Sequence, residues 1–357
     1  MNTGFSNSLK MLSKEQQNIL DASKTGDNIV VDAVAGTGKT TLILEIAKES
    51  SSQKILQITY NKSLKFEVRE KTKNMSIDNL TIHTYHSLAV CYYSCTAHVD
   101  NEIKKIVINN KEPNRKIPIF DMIVIDEAQD MTLLYYQLII KFIKDIGSPI
   151  QLLILGDYMQ GLYEFKGSDI RFLTLAELIW KEHPCLRTQQ FQKCTMKMSY
   201  RITNQMSHFV NNAMLGEQRM GACRDDVPVQ YIRNSRFNIE RIVCAEINKL
   251  FSQGVKPSDI FILGPSVKGE RSNIRKLENM LVEKNIPCHV PMLENSDIDQ
   301  RVIDGKIVFS TFHCVKGRQR KYVFVVGFDN SYFKYYARNL QRDICPNTLY
   351  VACTRAS

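Results

Sequence analysis

Short continuous apolar runs alternate along the chain with stretches of helical periodicity. Ile29-Val30-Val31 and residues 54–60, 80–83, 121–125 and 149–155 read as buried strands. Residues 12–20, 42–47, a stretch opening at Thr84-Tyr85-His86-Ser87 and another from about Thr132 read as helices. Ser13 is the expected N-cap of the first helix, with Gln16 completing a capping box. Strands alternating with helices predict an α/β fold whose parallel sheet is covered on both faces. The second half repeats the grammar less clearly. Helices are predicted over 169–183, 203–212, 238–251, 272–284 and 349–356. Strands are predicted over 193–200, 227–232, 259–263, 286–290, 306–311 and 322–326. Residues 1–10 read as a polar leader. The predicted boundary lies at 187–193, giving domains 1–190 and 191–357, with no internal repeat and no low-complexity segment.

Chemistry gathers at the ends of the predicted strands, where open parallel sheets bind their ligands. After Ile29-Val30-Val31 comes Ala33-Val34-Ala35-Gly36-Thr37-Gly38-Lys39-Thr40-Thr41, which leads into a helix. Strand, small-residue loop, Lys-Thr, helix is the pattern of a phosphate-binding loop. Backbone N–H groups in a tight loop and a helix N-terminus attract anions. Gly36 and Gly38 let the backbone approach phosphate oxygens. Lys39 can reach the β- and γ-phosphates of ATP, and the Thr40 hydroxyl can ligate Mg2+. Asp126-Glu127 follows another apolar strand. Asp126 suits Mg2+ coordination, and Glu127 can accept the proton of an attacking water. The Gln16 amide has a capping role and a second reading, adenine recognition, because a carboxamide both donates and accepts.

Composition narrows the partner. The 357 residues are 44% hydrophobic and 24% charged, ordinary for a globular protein, but the net charge is +10. A basic surplus of that size favours a polyanion beyond ATP. Ten scattered cysteines without a framework point to reduced thiols in an intracellular compartment, whether cytoplasm, nucleus or a viral replication site. Cys91, Cys95 and His98 have helix-compatible spacing; free thiols on a core helix are favoured there over a zinc site. No apolar run is long enough to span a bilayer.

Asp126-Glu127-Ala128-Gln129-Asp130, together with Gly156-Asp157-Tyr158-Met159-Gln160 and Tyr163-Glu164-Phe165-Lys166-Gly167, resembles motifs II and III of the UvrD/Rep/PcrA group of superfamily 1 helicases. The resemblance extends over nearly the whole chain. Gln16 resembles the adenine-reading Q motif, and 33–41 resembles motif I, where this group also tolerates the Ala seen at Ala33. Thr59-Tyr60-Asn61-Lys62 resembles motif Ia, and Thr84-Tyr85-His86-Ser87 motif Ib. Ser199-Tyr200-Arg201 resembles motif IV, Thr311 to Gly317 motif V, and Tyr350 to Ala356 motif VI.

The resemblance implies two RecA-like P-loop NTPase domains with a nucleotide cleft between them. It implies an ATP- and Mg2+-dependent DNA helicase moving 3′ to 5′, with roles in repair or replication. ATP would be held by Gln16, Ala35, Gly36, Thr37, Gly38, Lys39, Thr40, Thr41, Tyr200 and Gly317, with Tyr200 stacking on adenine. Lys39, Asp126, Glu127, Gln160, Arg201 and Arg355 would be catalytic, with Gln160 sensing the γ-phosphate and the two arginines acting as fingers. Single-stranded or tailed duplex DNA would meet Tyr60, Asn61, Lys62, Thr84, His86, Tyr163, Phe165, Lys166 and His313; Lys316 is a further phosphate or coupling candidate. Phe165 is the favoured base-stacking ring, while Tyr85 and Tyr163 are as consistent with core positions.

Four departures stand out. The stretch at about 96–120 leaves room for only a very small first accessory subdomain, and the second accessory subdomain has no room, with 291–301 as the loop left in its place. Gln319 stands where an acidic ribose contact is usual. The chain stops at Ser357, before the strand that follows motif VI in the group. The missing accessory subdomains favour as an alternative a strand-stimulated ATPase that clamps without unwinding or a module dependent on a partner; an RNA-directed motor is a further alternative, because no residue here reads a 2′-hydroxyl and DNA rests on the resemblance. A monomer is expected.

Overall fold

The computed structural model describes residues 12–234, 238–267, 272–291 and 300–357. The leader at 1–10 and most of the 291–301 loop lie outside the described residues. The chain divides into two compact units, Met1–Lys197 and Met198–Ser357.

The first unit is built on a six-stranded sheet: β1 (Asn28–Ala33), β2 (Ile55–Thr59), β3 (Leu80–Thr84), β4 (Met122–Ile125), β5 (Gln151–Gly156) and β6 (Phe191–Met196). Their order is β3-β2-β4-β5-β1-β6, and every pairing is parallel. Each strand side faces a different apolar layer, as the two-residue period requires. Ile29, Val31, Met122, Val124, Leu153 and Leu155 pack with α1 (Lys14–Ser23), α2 (Lys39–Glu49) and α3 (Lys62–Asn74). Val30, Ile123, Ile125, Leu152 and Ile154 pack on the opposite side. That side is covered by α4 (Tyr85–Tyr92), α5 (Asp100–Ile108), α6 (Leu133–Ile146), α7 (Arg171–Thr174) and α8 (Ala176–Trp180). Burial on both faces is why these strands read as unbroken apolar runs.

Local chemistry fixes the helix ends. The capping box predicted at Ser13 and Gln16 is present on α1. Thr132 caps α6, and Gly147, at φ 66°, ends it. The predicted single helix over 169–183 is broken at Leu175 into α7 and α8. The stretch at about 96–120 holds α5, clamped to α6 by a buried polar knot. Lys141 Nζ lies 3.0 Å from Asp145 Oδ2 and 3.1 Å from Asn110 Oδ1. The Tyr93 hydroxyl donates to the same Asp145 oxygen at 2.6 Å.

The strand predicted to open the second domain pairs instead with β1, in register from Asn28↔Phe191 to Ala33↔Met196. β6 is therefore the edge strand of the first sheet. Its last carbonyl, Met196 O, accepts from Val34 N at 3.0 Å. Lys197 N donates to Glu15 Oε2, also at 3.0 Å.

The second unit opens with β7 (Met198–Ser199), which pairs with β8 (Gly221–Ala222). α9 (Asn204–His208) widens into a π-helical stretch over Phe209–Leu215, so the helix predicted at 203–212 is present but irregular. The strand predicted at 227–232 is absent; Val227 and Tyr231 are exposed. α10 (Ile239–Ser252) and α11 (Asn273–Val282) pack on a parallel sheet of β9 (Ile260–Gly264), β10 (Cys288–His289), β11 (Ile307–Thr311) and β12 (Tyr322–Val325), ordered β10-β11-β9-β12. α12 (Gln300–Ile303), α13 (Ser331–Tyr335) and α14 (Asn347–Cys353) complete it. Arg320 staples this unit, donating to Lys306 O at 2.7 Å and Pro257 O at 3.2 Å above the Phe261 ring.

Candidate functional site

Five strand ends of the first unit share one edge of the sheet. Following the strand order, they carry His86 after β3, Tyr60 to Lys62 after β2, Asp126-Glu127 after β4, Asp157 to Lys166 after β5, and the glycine loop after β1.

The loop has the backbone its glycines predict. Gly36 and Gly38 sit at φ 80° and 83°, where a side chain is strained. A Cβ on Gly38 would also lie 2.8 Å from Gln16 Nε2. α2 begins at Lys39 with no side chain capping it, so its first turn presents N–H groups at the strand end. Thr40 and Thr41 occupy that turn, and Ala35 is buried behind it. Thr37 Oγ1 donates to Val34 O at 3.1 Å. Gln16 does two jobs at once: its Oε1 accepts from Ser13 N at 3.0 Å, and its Nε2 donates to Thr37 O at 3.1 Å.

Across from the loop, Lys39 Nζ lies 3.5 Å from Glu127 Oε1. Glu127 adopts φ 57°, an uncommon conformation for a residue with a side chain and a store of local strain. Asp126 is buried. Its Oδ1 accepts from Glu127 N at 3.0 Å and its Oδ2 from Gln57 Nε2 at 3.1 Å. Burial, and then the neighbouring Glu127 carboxylate, push the Asp126 pKa well up; Lys39 opposes them. A buried carboxylate under that pressure gains from a cation. The Asp126 carboxylate and the Thr40 hydroxyl, in the first turn of α2, are both hard-oxygen donors, the chemistry that Mg2+ takes.

A hydrogen-bonded brace that sequence reasoning missed joins the ends of β4 and β5. Gln129 is fully buried, its Nε2 donates to Glu127 Oε2, and its Oε1 accepts from Asp157 N at 3.1 Å. Gly156 leaves the space for it: a Cβ there would stand 2.3 Å from Gln129 Oε1. Asp157 then holds Gln160, whose Nε2 donates to Asp157 Oδ2 at 2.9 Å. The only sequence signal for Gln129 was its position inside the acidic motif.

Three residues after Gln160, a run of rings crosses the same edge. Tyr163 stacks on Tyr60 with centroids 5.5 Å apart and planes at 16°. Phe165 meets Tyr163 edge-on at 6.2 Å and is 68% exposed. Lys166 Nζ lies 5.1 Å from the Tyr163 centroid and 5.7 Å from that of Phe165. Inward, Tyr60 meets Tyr135 edge-on at 6.3 Å, and Tyr135 stacks on Tyr85 at 4.4 Å. Tyr85 is buried, so it is a core ring. Asp100, at the start of α5, accepts from the Tyr135 hydroxyl at 2.9 Å and lies 3.0 Å from His86 Nε2. Neither Tyr135 nor Asp100 was flagged by the sequence. Asn61 and Lys62 are exposed beside the rings, whereas Thr84 is buried and caps α4 through Ser87 N.

Tyr200, Arg201, His313, Gly317 and Arg355 belong to the second unit. Tyr200 is exposed after β7, and Arg201 N donates to Ser199 Oγ at 3.3 Å. His313 and Gly317, the latter at φ 81°, lie in the turn after β11. Arg355 is buried at the end of α14, its Nε donating to Val351 O at 2.9 Å. Its carbonyl accepts from Arg320 N at 3.1 Å.

Residues 16–166 match the family model described as an AAA domain. The parallel sheet, the glycine loop and this match fit a P-loop NTPase. The chain is also 23% identical, over 387 aligned residues, to a protein of Acanthamoeba polyphaga mimivirus named as a putative ATP-dependent DNA helicase. That alignment takes in 98% of this chain and 52% of the relative, so the chain spans about half the relative's length. Among the described residues, no group of three or more His, Cys, Asp or Glu side chains is gathered to hold a metal, Cys91, Cys95 and His98 included. No described helix is long and apolar enough to cross a membrane.

Proposed function

We propose that the chain is an ATP-dependent motor of the UvrD/Rep/PcrA type that grips single-stranded DNA and moves along it 3′ to 5′, unwinding duplex. One observation carries the reading. The glycine loop and the exposed rings occupy one sheet edge, and the β5 end serves both, with Gln160 bonded to Asp157, which Gln129 links to Glu127, and Tyr163 in the ring stack. A phosphate site wired to a stacking surface is what coupling hydrolysis to strand grip needs. The name of the viral relative supports DNA as the track.

In this reading the loop and Lys39 hold the β- and γ-phosphates. Thr40 and Asp126 hold Mg2+, which supplies charge neutralisation on the phosphate oxygens. Glu127 takes a proton from the water that attacks the γ-phosphorus, the bond to the β–γ bridging oxygen breaks, and ADP leaves with that electron pair. Gln160 orients the water. Tyr200 stacks on adenine, Gly317 contributes to ATP binding, and Arg201 and Arg355 serve the transition state. His313 and Phe165 contact the strand.

A second reading is a strand-stimulated ATPase that clamps or translocates without unwinding alone, or that needs a loading partner. It is favoured by the insertion between α4 and β4, where α5 is the one helix described. ATPase measured with and without single strands, in parallel with unwinding of 3′-tailed and 5′-tailed duplexes, separates the two. Lys39→Ala and Glu127→Gln should abolish strand-stimulated hydrolysis; activity surviving in either variant would refute the mechanism.

A further inference from the structure

The second unit carries a surface of rings and cations that the reading above does not use. α13 and the turn after it leave Tyr335 and Tyr336 56% and 52% exposed. Tyr336 lies face to face with Tyr332, centroids 5.6 Å apart and planes at 23°. Tyr332 is itself buried, and its hydroxyl shares a 2.5 Å hydrogen bond with Thr348 Oγ1 on α14. The exposed ring is thus backed by a ring fixed to the core, which makes it a stiff platform. Lys334 Nζ lies 5.2 Å from the Tyr335 centroid, and Arg338 Nε donates to Lys334 O at 3.1 Å. Lys334, Arg338 and Arg342 are all exposed, and residues 330–342 contain no acidic side chain.

Flat rings open to water beside phosphate-sized cations fit the splayed bases and charged backbone of a single strand; a duplex keeps its base faces stacked away. The first unit shows the same combination independently, with Phe165 exposed, Lys166 over its ring, and a stacked tyrosine pair alongside. We infer that residues 331–342 form a second single-strand contact, in which Tyr335 and Tyr336 stack on bases and Lys334, Arg338 and Arg342 meet phosphates. The inference rests on the reading of the chain as strand-binding.

The test uses the full chain and a fluorescein-labelled oligo(dT), with binding followed by anisotropy without nucleotide. The Tyr335→Ala/Tyr336→Ala double variant should bind at least about 30-fold more weakly, while Tyr336→Trp should restore most of the affinity to a Tyr335→Ala background. A circular dichroism melt matching the parent protein shows that the fold is kept. Oligonucleotides carrying 5-bromouracil should photocrosslink to the peptide containing Tyr335 and Tyr336. Unchanged affinity in the double variant, with crosslinks only around Phe165, would overturn the inference and leave the strand-binding reading standing. Equal loss of blunt-duplex binding would overturn it too, since rings could not then be the cause. Failure of the parent protein to bind oligo(dT) would remove the strand-binding reading itself.

Discussion

Replacing Gly156 with alanine adds one methyl group at the end of β5, where three neighbours already stand. The new Cβ would lie 2.3 Å from Gln129 Oε1, 2.8 Å from Leu173 Cδ2 and 3.3 Å from Ala128 N. Leu173 can turn away. Gln129 cannot do so without giving up its bonds to Asp157 N and Glu127 Oε2. Overpacking a core typically costs about 1–3 kcal/mol. Disturbing a buried hydrogen bond costs about 1–3 kcal/mol more. Loss of glycine's freedom in the unfolded chain returns about 0.4–1 kcal/mol. The net expectation is a destabilisation of ~3 kcal/mol, centred on the first unit. Trp180, the single tryptophan, is buried there and donates to Phe172 O, so its fluorescence during urea titration follows that unit alone. Because the cost runs through Gln129, it should shrink by at least ~1 kcal/mol in a Gln129→Ala background. Strand-stimulated ATPase should fall in both single variants, since Glu127 loses its positioning amide. A Gly156→Ala protein as stable as its parent, or two single costs that simply add, would refute the brace.

Phe165→Ala should weaken oligo(dT) binding by about 1–3 kcal/mol while leaving strand-free ATPase near the parent value, read by anisotropy and phosphate release. His83 is held neutral: burial, then Lys65 and Arg69, lower its pKa to about 4. Its folded pKa is depressed, so the unfolded chain takes up a proton first as pH falls, and stability contributed above about pH 6.5 is lost between there and pH 4, with a slope of up to about 1.4 kcal/mol per pH unit. Urea midpoints measured across that window should flatten in His83→Gln; an unchanged slope would count against the buried-histidine argument. Lys141→Met strips the cation from the Asp145–Tyr93 knot and should cost about 3 kcal/mol by Trp180 fluorescence, whereas a neutral result would mean that Asp145 is already well solvated.

The sequence was legible wherever one local rule governed the outcome. Strands buried on both faces read as apolar runs, Ser13 and Thr132 marked helix starts, and the glycine loop and Asp126-Glu127 fell on the strand ends that geometry assigns to ligands. Long-range pairing was not legible. Phe191–Met196 mixes polar and apolar residues, unlike the unbroken apolar runs of the strands before it, yet it closes the first sheet because its partner β1 lies some 160 residues upstream. Val227–Ile232 has strand composition but lacks a described pairing partner, so it runs exposed. Gln129, Tyr135 and Asp100 look unremarkable in one dimension. Their importance comes from what they meet: a backbone N–H just after β5, a tyrosine after β2, a histidine after β3.

The bond between Met196 and the head of the glycine loop also has a mechanical meaning. β6 ends at Met196 and β7 begins at Met198, so one residue, Lys197, is all the slack between the two units. Met196 O grips Val34 N, and Lys197 N grips the Glu15 carboxylate next to Gln16. Any change in the path of the chain at Lys197 therefore reaches first the residue that opens the glycine loop and the first turn of α1. Glycines inserted after Lys197 would lengthen the connection between the two units while leaving both of these bonds available to the first.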